Sequence, residues 1–146
     1  IDLLKPFCSE LLISTNNSNY LQFGLPLIAD EIPYCGPMGG IYSSLKASKT
    51  EYILVVACDM PFISAATIRL LLTTIEGFDC VVPMVREKLE PLCGVYSKSL
   101  IDKMEEHIQQ KEFALSSLIL NSTHRIVSFN DEVNDFKNFN TPEDWK

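Results

Sequence analysis

Residues 52–61 read Tyr52-Ile53-Leu54-Val55-Val56-Ala57-Cys58-Asp59-Met60-Pro61. Seven residues without a charge, rich in β-branched side chains, end abruptly on a carboxylate and a proline. A run that is apolar nearly throughout, rather than alternating, predicts a strand over Tyr52–Cys58 that is covered on both faces in a parallel sheet. Working outward, Ser64 predicts a helix N-cap ahead of Ile68, Leu71, Leu72 and Ile75. Asp79–Val85 and Pro91–Tyr96 predict two more strands, joined by the charged turn Arg86-Glu87-Lys88 as a hairpin. Towards the N-terminus, Leu11–Thr15 and Leu25–Ala29 predict short strands, and Met38, Ile41, Tyr42 and Leu45 follow helical spacing. Helical signal returns at Ser99–Gln109 and Phe113–Leu120, Arg125–Phe129 predicts a strand, and Phe136–Phe139 a last short one. Strands alternating with helices predict βαβ units and a mostly parallel sheet. Ligands then sit beyond the C-terminal ends of the strands, so the informative residues follow each apolar run.

Composition narrows the class. The chain of 146 residues is 47% apolar and 21% charged, which suits one globular domain. Its net charge of −7 and pI near 4.7 repel phosphate backbones, which argues against nucleic-acid binding. The longest clean apolar run, Ile53–Cys58, is far too short to span a bilayer, and no signal-peptide pattern is visible. The chain starts at Ile1, not Met, so the reading expects residues ahead of it. Five cysteines (Cys8, Cys35, Cys58, Cys80 and Cys93) are odd in number and form no CxxC pair. They read as buried or free thiols of a reducing, cytoplasmic compartment, and a zinc site is not expected.

Four constellations carry chemistry. Asp59 puts a charge at the end of the most buried strand, which is costly unless it is paired or bound to a metal. Mg²⁺ takes one or two carboxylates plus substrate phosphates. The residues alone leave this reading level with an Asp that bonds loop N–H groups; a helix cap is better supplied by Ser64. Second, Cys35-Gly36-Pro37-Met38-Gly39-Gly40 opens a helix, where free N–H groups suit an anionic group and glycines admit a close approach. A plain turn explains Pro37 but explains three glycines in five residues less well. Third, in Asn138-Phe139-Asn140-Thr141-Pro142-Glu143-Asp144, helix capping accounts for Thr141 to Asp144 and leaves Asn138 and Asn140, on one side of an extended segment, unexplained. Fourth, Ser14-Thr15-Asn16 and Asp30 follow strands and can read a sugar or base, although each taken singly is a simple turn residue. His107 reads as solvated, His124 as lacking an acid partner, Cys58 as a buried thiol, and Arg86 and Lys88 as a hairpin tip. No G-x-S-x-G or Walker A pattern occurs.

Taken in order, GPMGGIYSSL, ACDMPFI, EPLCGVY and FKNFNTPED, with the spacing from Asp30 to Gly36 and on to Asp59, resemble the molybdenum-cofactor guanylyltransferases over nearly the whole chain. The Asn-x-Asn-Thr-Pro ending favours the guanylyl branch over the cytidylyl branch, where aspartates are expected. The resemblance implies a Rossmann-like three-layer α/β sandwich of the nucleotide-diphospho-sugar transferase type. It implies transfer of GMP from GTP to molybdopterin with release of pyrophosphate. Mg²⁺ carries over to Asp59, and nucleotide binding to Ser14, Asp30, Asp59 and the loop Gly36, Pro37, Met38, Gly39 and Gly40. Ser14 stands where some relatives have Asn, which makes Asn16 a neighbouring candidate. Asn138 and Asn140 match the motif on the pterin side of the cleft. GTP and molybdopterin are the implied partners, with room for transient contact with cofactor-biosynthesis or acceptor proteins, and with a monomer or weak oligomer. Family members begin with a strand and a signature L-x-G-G-x-S-x-R-M-G-x-D-K that wraps the triphosphate. No such signature occurs in these residues, so the reading expects a single domain over 1–146 whose first strand, loop and partial helix, about 30 to 40 residues by the usual size of a βαβ unit, are missing, and expects the 146 residues alone to be inactive. The alternatives are a cytidylyl- or sugar-nucleotide transferase of the same fold, or an inactive nucleotide-binding module.

Overall fold

The computed structural model describes residues 1–130, 134–137 and 139. Seven strands and four α-helices follow in chain order: β1 (Ile13–Ser14), β2 (Leu27–Ile28), α1 (Pro37–Ala47), β3 (Tyr52–Val56), α2 (Ala65–Thr74), β4 (Cys80–Val85), β5 (Lys88–Leu89), β6 (Cys93–Ser97), α3 (Ile101–Gln109), α4 (Leu115–Leu120) and β7 (His124–Phe129). The fold is α/β, a sheet flanked by helices, and the sheet's own alternation shows why both faces need cover. Cys80, Val82 and Tyr96 point to one face, where Met38, Ile41, Tyr42 and Leu45 of α1, Met104 of α3 and Leu118 and Ile119 of α4 bury them. Val81, Cys93 and Val95 point to the other, against Ile68, Leu71 and Ile75 and against Phe136. Period-2 strands between period-3.6 helices make the two cores. Ser64 caps α2 as read from sequence: its side chain accepts from Thr67 N–H.

Strand order corrects two expectations. In the larger sheet the order is β3-β6-β4, with β7 on the far edge of β4 and parallel to it. β6 is antiparallel to both β3 and β4. Thus β3, β4 and β7 run one way while β5 and β6 run against them, so the sheet is mixed rather than mostly parallel. The hairpin is also tighter than expected. Arg86 and Glu87 take φ of 49° and 61°, the primed-turn geometry that matches strand twist, and Val85 pairs with Lys88. After β5 the chain turns again and returns as β6 along the same edge of β4. Phe136 lies in a 3₁₀ turn over Asn134–Phe136 rather than in a last strand. β1 and β2 form a separate parallel pair. Among the described residues no helix is long and apolar enough to cross a membrane.

Candidate functional site

Asp59 lies in the turn that leaves β3. The chain is drawn there by the sheet: Ala57 N–H donates to Leu92 O at 2.8 Å, and Met60 N–H to Ala57 O at 3.3 Å. Of the readings that the residues left open, the cap belongs to Ser64. The Oδ1 of Asp59 is buried and accepts no hydrogen bond among the described residues. A buried carboxylate oxygen without a donor is costly, and a cation is the group that such an oxygen fits. No cluster of three or more His, Cys, Asp or Glu exists among the described residues.

The Asp59 turn opens on a hollow of about 220 Å³ that Lys88, Glu90 and Leu92 also line. A larger hollow of about 570 Å³ lies beyond, between Pro37, Leu89, Leu92, Phe113 and Leu115. Lys88, Leu89, Pro91 and Leu92 border both, so the β5 segment is a wall common to the hollow beside Asp59 and the one beside Pro37. Lys88 thus belongs to the cleft wall, although the sequence reading set it aside as a hairpin tip. Its ammonium lies 3.4 Å from Glu90. Glu90 was missed altogether; the only available signal was its place in EPLCGVY.

A second cluster forms where β1 and β2 end side by side. Asn16 Nδ2 donates to Asp30 Oδ2 at 3.0 Å, and Asp30 N–H donates to Asn16 Oδ1 at 2.9 Å. This reciprocal pair fixes both side chains. A Cβ placed on Gly40 would lie 2.8 Å from Ser14 Oγ and 3.6 Å from Asp30 Oδ1; one on Gly39 would lie 3.7 Å from Asp30 Cγ. Ser14, Asn16, Asp30, Gly39 and Gly40 are therefore one group, and the helix approaches closely because the two glycines carry no side chain. Gly36 takes φ 57° and ψ −146°, a conformation that is nearly glycine's alone. No side chain caps α1; Pro37 at its start has no N–H to offer, and the Gly39 N–H already donates to the Gly36 carbonyl at 3.1 Å. Met38 is fully buried in the core, backbone included, whereas Gly36 and Pro37 before it are exposed.

Asn138 and Asn140 lie outside the described residues. Phe139, between them in sequence, is described: its N–H donates to the Asp59 carbonyl at 2.9 Å. Nearby, Asp135 Oδ2 accepts from Ser64 N–H at 2.9 Å. Burial raises the Asp135 pKa, but bonds from the Ser64 hydroxyl and amide and from Thr67 outweigh it and hold it below the usual carboxylate range. Two other expectations, for Cys58 and His107, need revision. Cys58 is exposed, not buried, because β3 ends at Val56 and the turn lifts it out. His107 is buried, with Nδ1 3.5 Å from Glu112 Oε2, because α3 turns that side toward the 110–114 bend. His124 Nδ1 lies 2.9 Å from Ser122 O, a local backbone contact.

Residues 1–126 match the profile of the MobA-like NTP transferase domain. The chain is 33% identical to a probable molybdenum cofactor guanylyltransferase of Clostridium perfringens strain 13, over all of this chain and 78% of that protein. It is 30% identical to one from Carboxydothermus hydrogenoformans, over 98% of this chain and 76% of that protein. Among solved structures, a protein of Aquifex aeolicus superposes with a TM-score of 0.85 at 27% identity, over 96% of this chain and 76% of that one. Molybdopterin-guanine dinucleotide biosynthesis protein A of Archaeoglobus fulgidus superposes at 0.74 and 23% identity, over 91% and 73% of the two chains.

Proposed function

Because the chain belongs to the family of the MobA-like NTP transferase domain and is a nucleotidyltransferase, we propose that it transfers GMP from GTP to molybdopterin, yielding the guanine dinucleotide and pyrophosphate. The observation that carries the reading is the buried, unpartnered Oδ1 of Asp59 just past the end of β3, on a residue that lines a hollow together with Lys88 and Glu90. The full-length likeness to proteins named for this reaction supports the choice of substrates.

In this reading Ser14, Asn16 and Asp30 hold the nucleoside, and the Gly36–Gly40 backbone lets the nucleotide approach α1 without a steric barrier. Asn138 and Asn140 serve the pterin. A divalent cation, Mg²⁺, held by Asp59 would neutralise phosphate charge in the transition state. The terminal phosphate oxygen of the pterin attacks the α-phosphorus in line; the new O–P bond forms as the bond to the bridging oxygen of pyrophosphate breaks. A phosphate nucleophile is already ionised, so no general base is needed, and the residues act by positioning and electrostatics. The free thiols agree with a cytoplasmic enzyme, and residues 1–146 form a single domain of it.

The test is calorimetric titration of GTP, then CTP, with Mg²⁺, into protein from the complete reading frame, repeated with Asp59→Ala. Saturable GTP binding that weakens at least about tenfold without Asp59, roughly the 1.4 kcal/mol or more of a lost charged contact, with little CTP binding, is the expected result. Absence of GTP binding sinks the assignment, and a CTP preference moves it to the cytidylyl branch.

A further inference from the structure

Asp135 and Phe139 touch the loop that carries Asp59 at three points. Asp135 takes the Ser64 N–H, the Phe139 N–H takes the Asp59 carbonyl, and the Phe139 ring meets that of Phe62 nearly edge-on, with centroids 5.1 Å apart and planes at 81°. Phe136 anchors the segment, 8% exposed and packed on Phe129. The contact at Ser64 has an unusual source. In a capping box the N-cap hydroxyl takes the N3 amide, and an acid at N3 returns to the N-cap N–H. Here Ser64 Oγ accepts from Thr67 N–H at 3.2 Å, but N3 is Thr67 itself, whose hydroxyl is engaged with Ser64 Oγ at 3.3 Å. The Ser64 N–H is left for Asp135, 71 residues further along the chain. A carboxylate there also suits the positive end of α2. The start of α2 is thereby completed from the far end of the chain, and the 57–64 loop is held from both sides.

We propose that Asp135 is a positioning residue: by tying the turn around Phe136 to the first amide of α2, it sets the Asp59 peptide and with it the direction of the unpartnered carboxylate oxygen. The proposal rests on Asp59 being the metal-binding carboxylate.

The experiment measures Mn²⁺ affinity by electron paramagnetic resonance, with GTP present, on the full-length protein, and checks folding at the assay temperature by thermal melts. Asp135→Ala is expected to weaken Mn²⁺ binding by about 3- to 30-fold, the fold-change that matches loss of an ordinary helix cap. Asp135→Asn, which keeps an oxygen for the Ser64 N–H, restores most of it. Phe62→Ala, at a half-exposed position, weakens binding in the same direction and decides the matter if Asp135→Ala fails to fold. Wild-type affinity in folded Asp135→Ala or in Phe62→Ala, or an Asn variant no better than Ala, overturns the proposal. Asp59→Ala separates the two levels: if it binds Mn²⁺ as wild type does, the metal reading of Asp59 fails; if it loses Mn²⁺ while Asp135→Ala does not, only the positioning role fails.

Discussion

Replacing Gly40 by alanine separates stability from binding, and the magnitudes follow from the geometry around α1. The added methyl would stand 2.8 Å from Ser14 Oγ, whereas ordinary contact begins near 3.4 Å. Ser14 Oγ must therefore retreat by the difference, 0.6 Å. It is the terminal atom of an exposed side chain with one rotatable bond, so a change of rotamer suffices, at a cost within about 1 kcal/mol. Against this, alanine is better than glycine inside a helix by about 0.5–1 kcal/mol. The two nearly cancel, and the melting temperature should move by no more than about 4 °C. Binding has no such compensation. The methyl occupies the gap between Ser14 Oγ and Asp30 Oδ1 and turns the Ser14 hydroxyl away. Losing one buried polar contact costs about 1–3 kcal/mol, so GTP affinity should drop about tenfold or more. Gly39→Ala is the control: its methyl would lie 3.2 Å from the Ile32 carbonyl oxygen and 3.2 Å from Cys35 Cβ, neither of which can swing aside. Overpacking of this kind costs about 1–3 kcal/mol, and that variant should melt clearly lower. Differential scanning calorimetry and GTP titration on the three proteins decide it. If Gly40→Ala melts as low as Gly39→Ala, Ser14 does not yield as argued. If it melts and binds GTP like wild type, the groove between Ser14 and Asp30 is not the nucleotide's seat.

Two further outcomes follow from the opposite end of the sheet and from the thiols. Asp79 accepts from the Ser99 hydroxyl at 2.7 Å and from Thr123 N–H at 3.0 Å, with Lys103 Nζ 3.3 Å away; burial raises its pKa, but these three groups together lower it. A folded pKa below the unfolded one means stability that is complete above the ordinary carboxylate range and lost as pH falls through the folded value. Asp79→Asn should thus cost about 1–3 kcal/mol at pH 7, and urea unfolding should show the gap to wild type narrowing below about pH 4; an equal gap at both pH values refutes the linkage. Burial pushes the Cys80 and Cys93 thiols up to about 12, whereas Cys58 is exposed. Iodoacetamide at pH 8 should label Cys58 in the native protein and leave Cys80 and Cys93 until denaturant is added, as read by peptide mass spectrometry; native labelling of all three at one rate contradicts the packing.

Local patterns carried most of the architecture. An unbroken apolar run, a Ser three residues before a backbone amide that it can cap, and apolar residues at helical spacing specify β3, α2 and α1 because each is a property of a few neighbouring residues. The polar residues after the strands were legible for the same reason: chain direction puts them at one end of the sheet. The sequence by itself determined the element types, the family and the identity of Ser14, Asp30, Gly36–Gly40 and Asp59 as strand-end candidates. Tertiary structure alone decided that β6, read from the sequence as the hairpin partner of β4, also pairs with β3 and so lies between the two, that Lys88 and Glu90 line the hollow beside Asp59, that Cys58 is exposed and His107 buried, and that Asp135 completes the cap of a helix 71 residues earlier. These all depend on which distant segments meet. Register and burial follow from packing of whole faces rather than from any window of sequence, and an orphaned N–H or a lone carboxylate oxygen exists as such only once the chain has closed around it.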